Sequence, residues 1–494
     1  MIENRKQLVK SLLNTLPEIC KNFVGGKWIA PSNNSSTSII NPGNLNETVG
    51  KIIYADEELS KLAMDSASNA FTAWKNLSKE KRIDLLKKVL NEIRREIETF
   101  SEIITSENGK IISESRAEVK SSLLEGEFQL QFIDKEINKI SEEEIRHEPL
   151  GVVLLITPSN FPLATIIRKI IPALAIGNAV VLKPSEITPL TAVKFFQILE
   201  ESGLPSGVAN LIIGEGNTIG LPLINHPALA AISFTGSTAT GKQIRNMITD
   251  KKVKLQAEMG GKNAVVVLND ADMNSALDAV IKSGFTCCGQ WCTGTSRVIL
   301  EKNIYDDFLT HLVERINSIR IGIGTDEASS MGPLVSIAQL KKVQLAVAQG
   351  ISEGARLITG GKALPKISSF IGYYFEPTVF SNVKPKMKIA REEIFGPVIS
   401  VLKAEDIDDA IWITNNTNYG LTVSVYTNNR EAAEKFVSNV NAGLCHINLP
   451  TSHRNVSMPL LGWKDSGYGM PESGSYAMEF FTRTKSIYRK YYEN

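Results

Sequence analysis

From Gly151 onward the chain alternates in a way that leaves few folds open to it. Apolar runs of four to six residues are separated by stretches of about ten residues whose apolar side chains recur at three- and four-residue steps. Val152–Ile156 reads as a strand buried on both faces, Ala164–Ile176 as a helix, Ala179–Leu182 as a strand, Leu190–Glu201 as a helix and Asn210–Ile213 as a strand. Ala230–Phe234, Ser237–Thr249 and Ala264–Leu268 continue as strand, helix and strand, with a further helix to about Ser283. Strands this short between helices pair in parallel through right-handed crossovers, which predicts a doubly wound α/β sheet. Arg297–Leu300, Val398–Leu402 and Leu421–Tyr426, with helices near 304–319, 336–353 and 407–416, predict a second α/β domain. Upstream, residues 23–54 read as turns and short strands, and roughly 57–76 as a helix. Leu86, Val89, Leu90, Ile93, Ile97, Phe100 and Ile104 predict one amphipathic helix. The tail Tyr476–Tyr492 reads as a strand of the kind that pairs with another chain.

Composition excludes several functions. Lys+Arg number 54 and Asp+Glu 53, so no surplus of cations is present to neutralise phosphates, and no nucleic-acid partner is expected. No apolar run reaches the ~20 residues of a membrane helix, and Met1–Cys20 has no secretory apolar region, so no membrane association is expected. Five cysteines are too few for a disulfide framework and point to a reducing cytoplasm.

Three of those cysteines cluster in Thr286-Cys287-Cys288-Gly289-Gln290-Trp291-Cys292-Thr293. The five histidines are scattered without paired spacing, so no metal site is expected. Cys292 reads either as a buried, inert thiol or as a nucleophile at a helix-to-loop junction where backbone amides stabilise a thiolate. Glu258, one residue before Gly260-Gly261, reads either as a surface carboxylate near a turn or as a mobile general base on a glycine hinge.

Together these segments resemble the aldehyde dehydrogenase superfamily. E-x-G-G-K from Glu258 and G-Q-x-C ending at Cys292 lie 34 residues apart, and five further segments agree in order. They are T-P-S-N-F-P (157–162), K-P-S-E (183–186), F-T-G-S-T-x-x-G (234–241), E-E-I-F-G-P-V (392–398) and K-D-S-G-Y-G (464–469). The resemblance implies an α/β protein with a Rossmann-like cofactor domain (1–127 and 150–258), an α/β catalytic domain (259–462) and a small β oligomerisation element (128–149 and 476–494). Within that element a hairpin is expected over Phe128–Pro149, and a dimer or tetramer is implied.

By the same resemblance Cys292 is the thiolate that attacks an aldehyde, Asn160 and the Cys292 amide form the oxyanion hole, and Glu258 activates water. NAD or NADP is implied, with a lean to NAD because Glu186 suits a free ribose hydroxyl. Lys183 and Glu186 would hold the adenosine ribose, Gly236 and Ser237 the pyrophosphate at a helix N-terminus, Glu393 the nicotinamide ribose, and Phe395 the nicotinamide ring. Ile156, Thr157, Pro158, Ser185, Gly216, Phe234 and Gly260 complete the implied cofactor contacts, and Gln290 and Thr293 join Arg168 on the substrate side. Arg168, where semialdehyde and lactaldehyde dehydrogenases often have arginine, suits a substrate carboxylate; a helix-surface arginine is the other reading. His453 and Arg454 add either positive charge at the tunnel mouth or loop surface.

Ile447-Asn448-Leu449-Pro450-Thr451 and the tail are similar to 2,5-dioxovalerate dehydrogenases. A glyceraldehyde, lactaldehyde or broad aliphatic substrate remains open, whereas Glu258 speaks against a CoA-acylating relative. The chain departs from the family pattern at Cys287, where many relatives have Asn, at Ser159, and at Pro459-Leu460-Leu461-Gly462.

Overall fold

The computed structural model describes residues 15–31, 35–136 and 144–492. Two sheets organise it. The first has eight strands, and its five central ones, 209–211, 179–183, 152–156, 229–235 and 254–258, are all parallel. Taken in chain order they lie 3-2-1-4-5, so the sheet reverses direction between Val152–Ile156 and Leu229–Thr235. Ligands bind doubly wound sheets outside the carboxyl ends of the strands at this reversal.

The apolar runs are buried on both sides, as their composition predicts. Val153, Leu155, Val180 and Leu182 enter one packed layer, while Val152, Leu154, Ala179 and Val181 enter the opposite one. The second sheet has seven strands, parallel except for its edge Arg356–Thr359, and its interior strand Ala264–Val267 is completely buried.

The backbone joins the two sheets at Glu258. The chain passes from one to the other after Glu258, and a later segment comes back: Gly467–Tyr468 pairs antiparallel with Ala257 and Glu258. Next to it Ser466 accepts from Met259 N–H at 2.8 Å and its hydroxyl accepts from Gly420 N–H at 3.0 Å.

Several helices match the sequence reading: Glu57–Asn76, Ala164–Ile176 and Leu190–Glu201. Others correct it. The stripe from Leu86 to Ile104 is two helices, Lys79–Arg95 and Ile97–Asn108, broken at Glu96. One out-of-helix residue leaves the apolar side chains in step, so the periodicity does not reveal the break. The expected hairpin does not begin at Phe128, because Ile112–Glu136 is one helix. Burial of Leu130 and Ile133 in the first core keeps that segment helical. Residues 137–143 of the expected hairpin lie outside the described residues, and Glu144–Pro149 is a strand. It pairs antiparallel with Thr482–Ile487, from Pro149↔Thr482 to Glu144↔Ile487. The tail is not a strand from Tyr476. Tyr476–Phe480 is a short helix that buries Ala477, Met478 and Phe480 before the strand starts.

Candidate active site

A cavity of about 1010 Å³ opens at the reversal point of the first sheet and runs to the edge of the second. It is lined by Cys292, Glu258 and Asn160 together, residues far apart in sequence. Cys292 follows a turn with unusual backbone. Cys287 and Cys288 adopt φ of 53° and 55°, and Gly289 a φ of 68°. Left-handed conformations are strained for residues with a Cβ and persist only where surroundings enforce them. Here Glu114 accepts from Cys287 N–H at 2.9 Å, and the Gln290 side chain donates to Cys287 O at 3.0 Å. Beyond the turn, Asn263 donates to the carbonyls of Cys292 (2.7 Å) and Gly294 (2.8 Å).

This arrangement corrects the reading of Gln290. Its side chain is only 3% exposed, outside the cavity lining, and is used up on Cys287 O and on Val335 N–H, from which it accepts at 2.9 Å. It braces the turn and does not face a substrate. Thr293 does line the cavity, and its hydroxyl has no hydrogen-bond partner among the described residues.

Asn160 is aimed by its neighbours. Its amide donates to Gln290 O at 2.9 Å, which fixes the side chain and leaves the second amide hydrogen free. Its own carbonyl is held by Lys110 Nζ at 2.6 Å, and Lys110 is paired at 2.7 Å with Glu118. Glu118 also caps the helix that follows, accepting from Leu163 and Ala164 N–H at 2.9 and 3.1 Å.

Glu258 ends the strand Lys254–Glu258, and its Oε2 is buried with no partner among the described residues. Burial, reinforced by the charge of Glu472, pushes its carboxyl well above the ordinary range. Burial likewise pushes the Cys292 thiol up to about 11, although Arg168 and Arg454 oppose it. The glycines after Glu258 serve space more than rotation. Neither has a positive φ, and a Cβ on Gly260 would lie 2.2 Å from Glu393 Oε2. The Glu393 carboxylate rests on that bare Cα and accepts from Gly261 N–H at 3.1 Å.

The other half of the cavity fits a dinucleotide. Ile156, Thr157, Pro158, Lys183, Ser185, Glu186, Phe234, Gly236, Ser237, Gly260, Glu393 and Phe395 all line it. Ser237 caps the helix Thr238–Met247, leaving that helix's N-terminus facing the cavity as an anion site. A Cβ on Gly236 would meet the Phe234 ring at 2.6 Å, so only glycine lets the backbone approach here. Lys183 lies 3.5 Å from Glu186, and the Thr157 hydroxyl is buried without a partner among the described residues. Phe395 holds a φ of 59° and is pinned by Gln339, which donates to Phe395 O at 2.8 Å. Gly216 is the exception among the expected contacts: it opens the helix Gly216–Ile224 outside the cavity.

Arg168 is not a helix-surface residue. It faces the cavity 3.6 Å from Glu472, and its Nε is buried without a partner among the described residues. Lys169 beside it pairs with Glu472 and donates to Ser233 at 2.7 Å. Burial alone would raise the Glu472 carboxyl, but Lys169 and Arg168 hold it below its ordinary value. Lys169 and Glu472 were not singled out from the sequence. Two adjacent cations in an otherwise apolar helix were a signal for Lys169, whereas Glu472 is 303 residues away and carried none.

Fold and cavity define an α/β protein of two large sheets with a thiol where a long trough, fit for a dinucleotide, meets a smaller pocket. The family model described as "Aldehyde dehydrogenase family" matches residues 28–487. The alpha-ketoglutaric semialdehyde dehydrogenase of Bacillus subtilis (strain 168) is 36% identical over 95% of this chain and 98% of that protein. The 2,5-dioxopentanoate dehydrogenase of Saccharolobus solfataricus is 38% identical over 94% and 98%. A crystal structure of betaine aldehyde dehydrogenase from Staphylococcus aureus in complex with NAD+ superimposes with a TM-score of 0.93 at 32% identity, covering 98% of this chain and 97% of that one. The chain belongs to the aldehyde dehydrogenase family, NAD(P)-dependent enzymes that oxidise aldehydes. Among the described residues no helix is long and apolar enough to cross a membrane.

Proposed function

We propose that this enzyme oxidises a small aldehyde that also bears a carboxylate, of the 2,5-dioxovalerate type, to the corresponding diacid with NAD+ in preference to NADP+. The observation that carries the reading is Arg168, a guanidinium turned into the cavity beside Cys292 with a buried, unpartnered Nε. A guanidinium facing a carboxylate gives oriented, charge-assisted recognition. The names of two relatives support the same class. A cationic betaine aldehyde would meet two like charges, Arg168 and Arg454, on the walls.

In this reading Cys292 Sγ attacks the aldehyde carbon, and the oxygen that becomes negative is met by the free Asn160 amide hydrogen and the Cys292 N–H. The nicotinamide nucleotide, when bound, supplies the hydride acceptor that turns the thiohemiacetal into a thioester. Glu258 takes a proton from water, which adds to the thioester carbon and releases the acid and the Cys292 thiol. Glu472, fixed by Lys169 and Arg168, adds its charge to the burial that raises the proton affinity of Glu258. Lys183 and Glu186 would hold the adenosine ribose, the Ser237 helix terminus the pyrophosphate, and Glu393 and Phe395 the nicotinamide riboside. Glu186 favours the ribose hydroxyl of NAD+ over a phosphate in the same place.

Oligomerisation through the Glu144–Pro149 and Thr482–Ile487 ribbon, as a dimer or tetramer, and residence in a reducing cytoplasm, suited to five free thiols, belong to the same proposal.

The test follows absorbance at 340 nm with NAD+ or NADP+ and a panel of 2,5-dioxovalerate, succinate semialdehyde, glyceraldehyde, betaine aldehyde and pentanal. The acid-bearing aldehydes should give the highest kcat/KM, and Arg168→Ala should lower it for them by at least about tenfold more than for pentanal. An equal loss for all aldehydes would remove Arg168 from substrate recognition.

A further inference from the structure

Arg454 lines the same cavity as Cys292 and Arg168, on the loop that follows the strand Leu444–Ile447. Its side chain is 21% exposed, and its Nη2 lies 3.2 Å from Ser473 Oγ and 3.9 Å from a Glu125 carboxylate oxygen. Those are its contacts among the described residues, so a fork of five N–H donors is mostly unspent. Glu125, 6% exposed, is an imperfect partner: the pair is long, and the same carboxylate accepts weakly from Gln129 at 3.4 Å.

Arg168, Lys169 and Arg454 are three cations, whereas Glu472 and Glu125 are two carboxylates joined to them by ion pairs. These pairs leave one cation over, and the third carboxyl facing the three cations, Glu258, is pushed toward its neutral form by burial, so the excess charge in this largely buried cluster is costly. Arg168 and Arg454 also disfavour each other, and burial pushes the Arg454 guanidinium down to about 10. An anion between the two guanidinium groups would remove both penalties.

We propose that Arg454 is a second specificity-determining residue: together with Arg168 it takes the carboxylate end of the substrate, and Glu125 is the internal counterion that it gives up on binding. The inference rests on the carboxylate-bearing substrate proposed above and adds a residue and a competitor to it. Glu125 thereby sets how selective the site is, since it competes with substrate for the same guanidinium.

The test is steady-state kinetics of the intact enzyme at saturating NAD+, with 2,5-dioxovalerate and pentanal compared as a ratio of kcat/KM. Arg454→Met should lower that ratio about tenfold or more through KM, as expected for loss of a charge-assisted contact. Arg454→Lys should restore part of it. Glu125→Gln should move the other way, lowering the KM for 2,5-dioxovalerate by about threefold or more. A structural role for Arg454 would depress both substrates alike, and that result overturns the proposal, as does a Glu125→Gln enzyme whose KM for 2,5-dioxovalerate is unchanged or raised. If Arg454→Met does not fold, Arg454→Lys and Glu125→Gln decide. The two readings fail differently. A wild-type enzyme with no preference for 2,5-dioxovalerate overturns the substrate class itself, whereas a preference abolished by Arg168→Ala and kept by Arg454→Met overturns only the role of Arg454.

Discussion

In the free protein, iodoacetamide should attack Cys292 at a rate that climbs about tenfold per pH unit and does not level off below about pH 10. Only the thiolate reacts, so the rate follows the ionised fraction. Burial moves this thiol from 9.0 to about 11, which at ~1.4 kcal/mol per tenfold disfavours the anion by roughly 3 kcal/mol relative to a solvated thiol. At pH 7 about one molecule in 10,000 then carries the thiolate. Arg168 and Arg454 pull in the other direction, so Arg168→Ala should slow alkylation at pH 8 further, by several-fold. The assay is tandem mass spectrometry of the tryptic peptide from Ser283 to Arg297, which separates Cys292 from Cys287 and Cys288 by fragmentation. The latter two are buried, Cys287 at the cavity wall, and burial pushes both thiols up, so they should label more slowly than Cys292 across the range. Rates that plateau below pH 8 would refute the reasoning, because the thiol would then be ionised before cofactor or substrate arrives.

Two further perturbations test other parts of the structure. Gly260→Ala would put a methyl group 2.2 Å from Glu393 Oε2, and the KM for NAD+ should rise about tenfold, measured by varying NAD+ at fixed aldehyde; an unchanged KM would mean that Glu393 does not meet the nucleotide. Glu107, buried and accepting from Leu190 and Thr191 N–H at 2.7 and 3.0 Å, has its carboxyl pushed by burial from 4.5 to about 7. The native state therefore keeps this proton up to about pH 7 while the unfolded chain releases it near 4.5, so stability falls as pH rises through that window, by an upper bound on the order of 3 kcal/mol. Glu107→Gln cannot titrate, and its melting temperature should change less between pH 5 and pH 8 than that of the wild type; parallel curves would rule the assignment out.

What the sequence discloses depends on whether the signal is local. Val152–Ile156 and Ala264–Val267 are legible because strands covered on both faces must be apolar at every position. Cys292, Glu258 and Asn160 are legible through motifs, and all three meet in one cavity. The helix Ile112–Glu136 escaped because it covers the core along only part of its length, leaving residues such as Leu124 at 58% exposure. The strand Lys254–Glu258 escaped because Gln256 and Glu258 are polar side chains buried in a sheet, which no pattern of alternation announces. Gln290 and Thr293 sit in one motif yet face opposite ways, because a run of left-handed residues reverses the chain before them. The roles of Glu125 and Glu472 arise from pairing with distant residues, so composition and spacing are silent about them.

The return of the chain at Ser466-Gly467-Tyr468 bears on how the enzyme loads and unloads. A door hung on both jambs does not swing, and here the halves are joined once by the peptide that leaves Glu258 and again by a strand laid against it. Wide jaw-like opening about a single pivot would tear that second seam.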